Sequence, residues 1–393
     1  MPSFSGTLNS NVIFAAIWNM IISQQVFADN LMKHQNLIDE ARVDGSLFGD
    51  TKLYYATDVL KSYEWTNDSE AANLLALNRP AAPSIQAITI NQFRQVFVTV
   101  DEYLTKQAFK EPGAFSQFTA VTLSWLRDTK RVHDGTTFNT FIGTDESSTG
   151  DQSGTIPVST AISGLSGDEA NRVEAMTIAQ HLADLLVKMG DYSRDYNDYQ
   201  YMRSTSEDKI KIVWNSAFIN KIRKVDLPTI FHKESVFNDI SQRIMPSRYF
   251  GVAITSSNIS SYSASTPAPG KPINSGTNAY TPGTNHANGC IRSLVEKTYT
   301  SGGVTANYFP GDELPNGATI VASTGDWLPG ECYIEDPTII FKIYVELPPF
   351  MSAMDVGTSF FNPRSLTTNH YVTWGHNTLE HLKNYPCVVR RRG

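Results

Sequence analysis

IQAITINQFRQVFVTVDEYLTKQAFKEPGAFSQFTAVTLSWLRDTKRVHDGTTFNTF, residues 85–141, is the stretch whose reading decides the fold. Its first part alternates. Ile88 and Ile90, then Val96, Val98 and Val100, take one face, with Thr89, Arg94 and Thr99 among the residues between, and period two predicts a long strand with one covered face. The second part changes period. Phe115, Phe118, Thr122 and Trp125 follow i, i+3, i+7 and i+10, which places them along one helical stripe. Pro112 and Gly113 stand where that helix begins, since proline lacks an N–H that would have no partner in the first turn. Gly135 is read as the residue after the last turn, giving a helix of about five turns. No catalytic motif interrupts the stretch.

Working outward, 393 residues suffice for two or three domains or one large irregular one. The composition is that of a globular chain, 41% hydrophobic and 18% charged, and the net charge of −7 excludes a basic nucleic-acid binder as a whole. Cys290, Cys332 and Cys387 form no CxxC pair, so free thiols in a reducing compartment are expected rather than a disulfide framework or a zinc ribbon. Asn11–Ile22 has no basic flank, is interrupted by Asn19 and is too short to span a bilayer. It reads as part of a helix over residues 8–40 that packs on the fold or on a neighbouring chain.

Leu53–Trp65 is extended and aromatic-rich, and residues 66–84 form a polar tip closed by Pro80 and Pro83. The strand of residues 85–100 then returns, so a long hairpin is predicted, of a kind that is marginal alone in water and needs a surface to lie on. Gly143–Thr155 reads as a plain loop, because it lacks the Lys–Ser/Thr ending of a phosphate cradle. A second helix is predicted over Asp168–Met189, with Ser166 and Glu169 at capping-box spacing and Val173, Met176, Ala179, Leu182, Ala183 and Leu186 as its buried stripe. His181 falls outside that stripe and is expected in solvent. Asp191–Arg203 mixes acids and tyrosines without the order of a calcium loop. Lys209–Asn215 is a short strand, and Asn215 or Ser216 caps the helix after it. Residues 255–335 are rich in Ser, Thr, Asn, Gly and Pro and read as a β/loop insertion. Thr338–Glu346 is a strand, and the last residues add a further strand and a terminal one at Cys387–Val389.

The search for chemistry finds little. Cys387 with His376 or His381 is the one local nucleophile–base candidate, and Cys387 lies in an apolar strand where thiols are usually inert. His376 and His381 are five apart and make a poor metal pair on a helix. No carboxylate pair can be assigned to acid–base work. Arg390, Arg391 and Arg392 read as a solvated basic terminus, with contact to phosphate or an acidic neighbour as the sharper alternative. No catalytic residue, cofactor or metal is expected. Extended arms without an active site point to a protein completed by copies of itself.

In its order of elements the chain resembles the major capsid proteins of tailed bacteriophages, with a podovirus-like flavour. DGSLFGDTKLYY and AITINQFRQVFVTVDEYL are similar to the two arms of that family's E-loop, and FSQFTAVTLSWLRDTKRVHDG to its spine helix. KIKIVWNSAFINKIRKVDLPTIF is similar to a strand–helix element of its axial domain, and FMSAMDVGTSFFNPRSLTTNHYVTWG and LKNYPCVV to its late strands. The resemblance implies an α+β, HK97-like fold: an N-terminal arm over 1–43, an E-loop over 44–100, a spine helix in 101–150, an axial domain over 151–335 with the insertion at about 255–335, and late strands over 336–393. It also implies hexamers and pentamers forming an icosahedral shell around double-stranded DNA, a separate scaffolding protein, a portal, and no membrane. Tyr54, Tyr55, Trp65, Phe93, Arg94 and Phe97 are the expected subunit contacts. Lys52 and Lys61 fall on the E-loop, with no ground to assign them a cross-linking reaction. The alternatives are an encapsulin-type compartment with a protein cargo, or a glycan-binding or enzymatic β domain at 250–340. If the capsid reading holds, Thr122→Pro should abolish shell assembly in negative-stain images, because proline in a helix interior costs about 3 kcal/mol, whereas His181→Ala should leave assembly intact.

Overall fold

The computed structural model describes residues 37–45, 49–64, 77, 79–101, 112–219, 241–257, 290–301, 303–315, 318, 320 and 325–393. The helix expected over residues 8–40 lies outside them except for the single turn Ile38–Ala41. Most of the hairpin tip and of Thr255–Gly289 also lie outside. In chain order the strands are β1 (Arg42–Asp44), β2 (Thr51–Ala56), β3 (Ser84–Asp101), β4 (Ser153–Ile156), β5 (Lys211–Asn215), β6 (Ser241–Met245), β7 (Gly251–Ala253) and β8 (Ile291–Ser293). They continue as β9 (Lys297–Ser301), β10 (Val304–Tyr308), β11 (Cys332–Glu335), β12 (Ile339–Tyr344), β13 (Phe350–Asn362), β14 (Thr367–Asn377) and β15 (Cys387–Arg392). The long helices are Pro112–Thr144 and Gly167–Gly190. Mixed sheets with segregated helices make the class α+β, as the sequence implies.

The chain forms two compact units, one of Met1–Asp50, Thr89–Thr136 and Phe350–Thr378, the other of Thr51–Ile88, Thr137–Pro349 and Leu379–Gly393. In the first unit, β14 pairs antiparallel with both β13 and β3, and β1 runs parallel to β13. The predicted alternation of β3 holds: Ile90 and Val100 are buried, and Val96 and Val98 pack on Leu126, Val372 and Trp374. The pairing skips Asn91 between Gln92↔His376 and Ile90↔Asn377, a bulge, and the Asn91 side chain accepts from the backbone N–H and hydroxyl of Thr378. A Cβ on Gly375, opposite Phe93, would lie 2.7 Å from the Phe93 ring, so the ring would have to shift to admit one.

In the second unit a five-stranded mixed sheet runs β4–β15–β12–β5–β6. Every residue of β12 is buried, so both its faces are covered. Phe341 and Ile343 face a core completed by Ile178, Leu182, Leu186 and Trp214. The alternate residues Lys342 and Tyr344 instead reach backbone carbonyls at the end of the Pro112–Thr144 helix. That helix end sits close to the chain at Tyr249. A Cβ on Gly143 would fall 1.9 Å from the Tyr249 carbonyl oxygen, so only glycine fits. Within the described part of residues 255–335 the chain forms β8, β11 and the hairpin β9–β10, and β11 also pairs with β7, just before that range. A small core there holds Ile254, Ile291, Leu314, Trp327 and Cys332. The three cysteines are free thiols, all buried.

Several local expectations are corrected. The first long helix does not stop at Gly135 but continues to Thr144, over 33 residues. A single glycine costs a helix only about 1 kcal/mol, which a helix this long absorbs, and Gly135 is buried within it. Trp125 is exposed, whereas Leu126, Lys130 and His133 are buried, so the covered stripe is turned by one position, about 100°. In Gly167–Gly190 the buried line runs through Ala175, Ile178, Leu182, Leu185 and Met189, and Met176 is half exposed. Ser166 makes no capping hydrogen bond, because Gly167 takes a left-handed φ of 61° that breaks the geometry a capping box needs. Asn215, as expected, accepts from the Ala217 N–H. His181 is exposed, as expected.

Among the buried polar groups of the first unit is His376, stacked on Phe350 with ring centroids 5.3 Å apart. Burial pushes its pKa down to about 4, overriding the bond its Nδ1–H donates to the Asn377 carbonyl, and His133, Arg94 and Lys130 add repulsion. The unfolded chain takes up a proton near pH 6.5 and the folded chain does not. Stability from this residue is therefore present above about pH 6.5 and lost as pH falls towards about 4. A thermal melt series across that window should show a loss on the order of 3 kcal/mol that is flattened in His376→Gln; equal slopes in the two proteins would refute the assignment.

Candidate functional site

Two features stand out: an exposed apolar arm and a buried cluster of charges. The arm begins at β2, where burial alternates. Leu53 and Tyr55 point to solvent, while Tyr54 is half buried, and burial with nearby Glu346 and Tyr385 raises its pKa. Beyond β2 the chain is extended without regular structure, and Val59, Leu60 and Tyr63 are 57%, 77% and 72% exposed. Such a run of large apolar side chains in water is a candidate contact surface. Its base is anchored. Asp58 accepts from the Met202 N–H and from Arg194, which hold its carboxyl down at about 2, and Arg203 donates to the Thr57 carbonyl. The acidic, tyrosine-rich segment Asp191–Arg203 thus supplies the arm's mooring.

In the first unit, the outer face of β3 carries Phe93 and Phe97, 37% and 66% exposed, with Phe97 packed 6.2 Å from Tyr371. Arg94 lies opposite Trp374 in the register and is partly exposed. Trp65 lies outside the described residues. Lys61 stacks 5.2 Å over the Tyr63 ring.

The charge cluster lies in the second unit. Asp145 follows the last residue of the long helix. Its carboxylate accepts from His381 Nδ1 at 2.9 Å, from Tyr344 at 3.3 Å and from Cys387 Sγ at 3.4 Å. Its backbone carbonyl accepts from the buried Lys342 ammonium. His381 Nε2 donates to Asp198 at 2.8 Å, and Asp198 also accepts from Ser147 and Gln152. Burial opposes charge on His381, but the two carboxylates override it and lift its pKa to about 10. The same partners hold Asp198 down at about 2 against its own burial. The loop read as plain, Gly143–Thr155, is therefore the polar lining of a core: Ser147 and Gln152 are buried, and Ser153–Ile156 is the strand β4.

The structure brings Cys387 and His381 together and leaves His376 in the other unit, but it does not make a nucleophile. Burial pushes the Cys387 thiol well above its ordinary pKa, and His381 carries protons on both nitrogens, so it offers no base. No local sequence signal announces this cluster, whose members are up to 242 residues apart.

The terminal arginines are not a solvated tail. They form the second half of β15, because each finds acids of its own chain. Arg391 binds Glu146 through both terminal nitrogens at 2.7 and 2.6 Å and Asp336 through Nε at 2.9 Å. Glu146 is held down at about 2, where the Arg391 contacts outweigh burial. Arg390 pairs with Asp151 and Arg392 with Glu174.

Neither a family model nor a curated protein sequence matches the chain. Solved structures do. A chain in the capsid structure of Staphylococcus phage Andhra aligns over 100% of this chain and 88% of its own, with 11% identity and a TM-score of 0.56. A chain in the structure of head fiber and inner core protein gp22 of native bacteriophage P68 aligns over 91% and 85%, with 9% identity and a TM-score of 0.56. The chain has the HK97-like capsid fold. The charge cluster ties together the end of the long helix and the terminal strand.

Arg391→Ala would leave the buried Asp336 carboxylate without its cation and the more exposed Glu146 without its forked partner, and should destabilise the chain by about 3 kcal/mol in denaturant melts. Arg391→Lys should recover only part of that, because an ammonium cannot make the forked contact. A melt of Arg391→Ala indistinguishable from the parent would show that the terminus is not held as described.

Proposed function

We propose that the chain is a major capsid protein that self-assembles into hexamers and pentamers and closes an icosahedral shell around double-stranded phage DNA. The observation that carries this reading is the alignment of the whole chain with a phage capsid structure at a TM-score of 0.56. The exposed apolar arm supports it, since exposed apolar patches of that kind commonly mark sites of association. In this reading residues 1–43 are an N-terminal arm, 44–100 the E-loop, 101–150 carry the spine helix, 151–335 are the axial domain and 336–393 return as late strands. Tyr54, Tyr55, Trp65, Phe93, Arg94 and Phe97 meet neighbouring subunits.

The mechanism is mechanical, and the chain performs no catalysis. Each contact buries apolar area at roughly 25 cal/mol per Å², and closure of rings multiplies weak contacts into a stable shell. A separate scaffolding protein and a portal take part in assembly in the host cytoplasm, and the finished protein resides in the virion. DNA is touched without sequence preference by a shell whose chains carry a net charge of −7, a balance that avoids trapping DNA during packaging. Among the described residues no helix is long and apolar enough to cross a membrane.

Negative-stain microscopy of the purified protein, with and without a scaffold partner, tests the proposal: closed shells are expected, and monodisperse monomers under every condition would sink it. Purified shells should contain long double-stranded DNA; a protein cargo would favour the encapsulin-type alternative. Phe97→Asp, on a face exposed in the single chain, should cut shell yield at least tenfold while shifting monomer stability by less than about 0.5 kcal/mol.

A further inference from the structure

We propose that Asp145, His381 and Cys387 form a binding site for a zinc-class transition-metal ion. One ligand atom from each lies within 4.8 Å of the other two. Metal–ligand bonds of about 2.0–2.3 Å set tetrahedral ligand atoms roughly 3.3–3.7 Å apart; Asp145 already lies 2.9 Å from His381 Nδ1 and 3.4 Å from Cys387 Sγ, so the ion would part the first pair slightly and draw His381 and Cys387 together by at most about 1 Å, movements within reach of side-chain rotation. The set mixes thiolate, imidazole and carboxylate. Magnesium and calcium take oxygen ligands and would leave the sulfur unused, whereas zinc accepts all three donor types.

The surroundings are those of a supported site. His381 Nδ1 faces Asp145, and its other nitrogen donates to Asp198 at 2.8 Å, the carboxylate–histidine arrangement that fixes the ring for a metal on the opposite nitrogen. Asp198 is itself held by Ser147 at 2.6 Å and Gln152 at 2.9 Å. Gln152 also fixes Cys387, accepting from its backbone N–H at 3.1 Å. Lys342 anchors the backbone of Asp145. A water molecule would complete the fourth position. The side chains of His381 and Asp198 keep 15% and 19% of their surface exposed, which leaves a way in for the ion.

The exchange balances in charge. One divalent ion enters; the thiol proton of Cys387 and the Nδ1 proton of His381 leave to solvent; no electron moves. The net charge seen by Lys342, Glu146 and Arg391 is unchanged. The ion would pin the end of the long helix, the segment before β15 and β15 itself to a single point.

The test uses the full-length reduced protein, stripped with a chelator and titrated with cobalt(II) as the optical probe. One equivalent should produce a thiolate-to-cobalt charge-transfer band and the visible bands of tetrahedral cobalt, and zinc should displace it. Cys387→Ser should lose the charge-transfer band, while a Cys290→Ser, Cys332→Ser double variant keeps it. Asp198→Asn should keep the band but weaken affinity about 10- to 100-fold. Absence of the band in the parent protein, or its survival in a folded Cys387→Ser protein, would overturn the proposal. If Cys387→Ser does not fold, loss of the band in Asp145→Asn with retention in the double variant supports the site, and its loss in the double variant refutes it. The reading is taken on unassembled chain, so it stands or falls independently of shell formation.

Discussion

The carboxylate of Asp145 is the constraint on which the second unit depends. It sits just past the end of a 33-residue helix, 9% exposed, and is met by an imidazolium, a thiol and a phenol, with an ammonium on its own backbone carbonyl. A charge in such a place is tolerable only while every partner stays, because removing water costs several kcal/mol per ion and only close, well-directed contacts offset it. Its partners come from β12, the segment before β15, and β15. The mutual requirement therefore fixes how a helix end, a central strand and the chain terminus are placed, a matter that apolar packing alone leaves loose.

The central strand shows how both kinds of packing are needed. β12 is buried throughout, yet its two faces differ. Phe341 and Ile343 meet an apolar core whose aromatic contact is Trp214 against Phe341, 5.1 Å between centroids. Lys342 and Tyr344 meet the polar side. From the sequence, TIIFKIYVE reads as a confident strand, and its lysine gives no hint of being fully covered.

What the sequence reveals follows the range over which the physics acts. The alternation of β3, the strands β5, β12 and β15 and the two long helices are all legible, because period and turn chemistry are local. The faces of the helices are not. Trp125 and Met176 look like stripe residues but are exposed, because a helix covered on more than one side buries whichever residues its neighbours reach. Gly135 reads as a stop, but a helix of this length absorbs the roughly 1 kcal/mol that one glycine costs. The terminal arginines read as solvated because their partners, Glu146, Asp151, Glu174 and Asp336, are more than 50 residues away in the chain. The candidate metal site was illegible for the same reason: Asp145 is far from His381 and Cys387, and the spacing of the two histidines pointed away from it.

Cys290 and Cys332 bear on durability. Both are buried, and burial with nearby carboxylates pushes each thiol up to about 12. Oxidation by air or peroxide proceeds through the thiolate, which these residues scarcely populate at neutral pH. At these two positions resistance to oxidative cross-linking therefore rests on the inaccessibility of the sulfur rather than on disulfide staples.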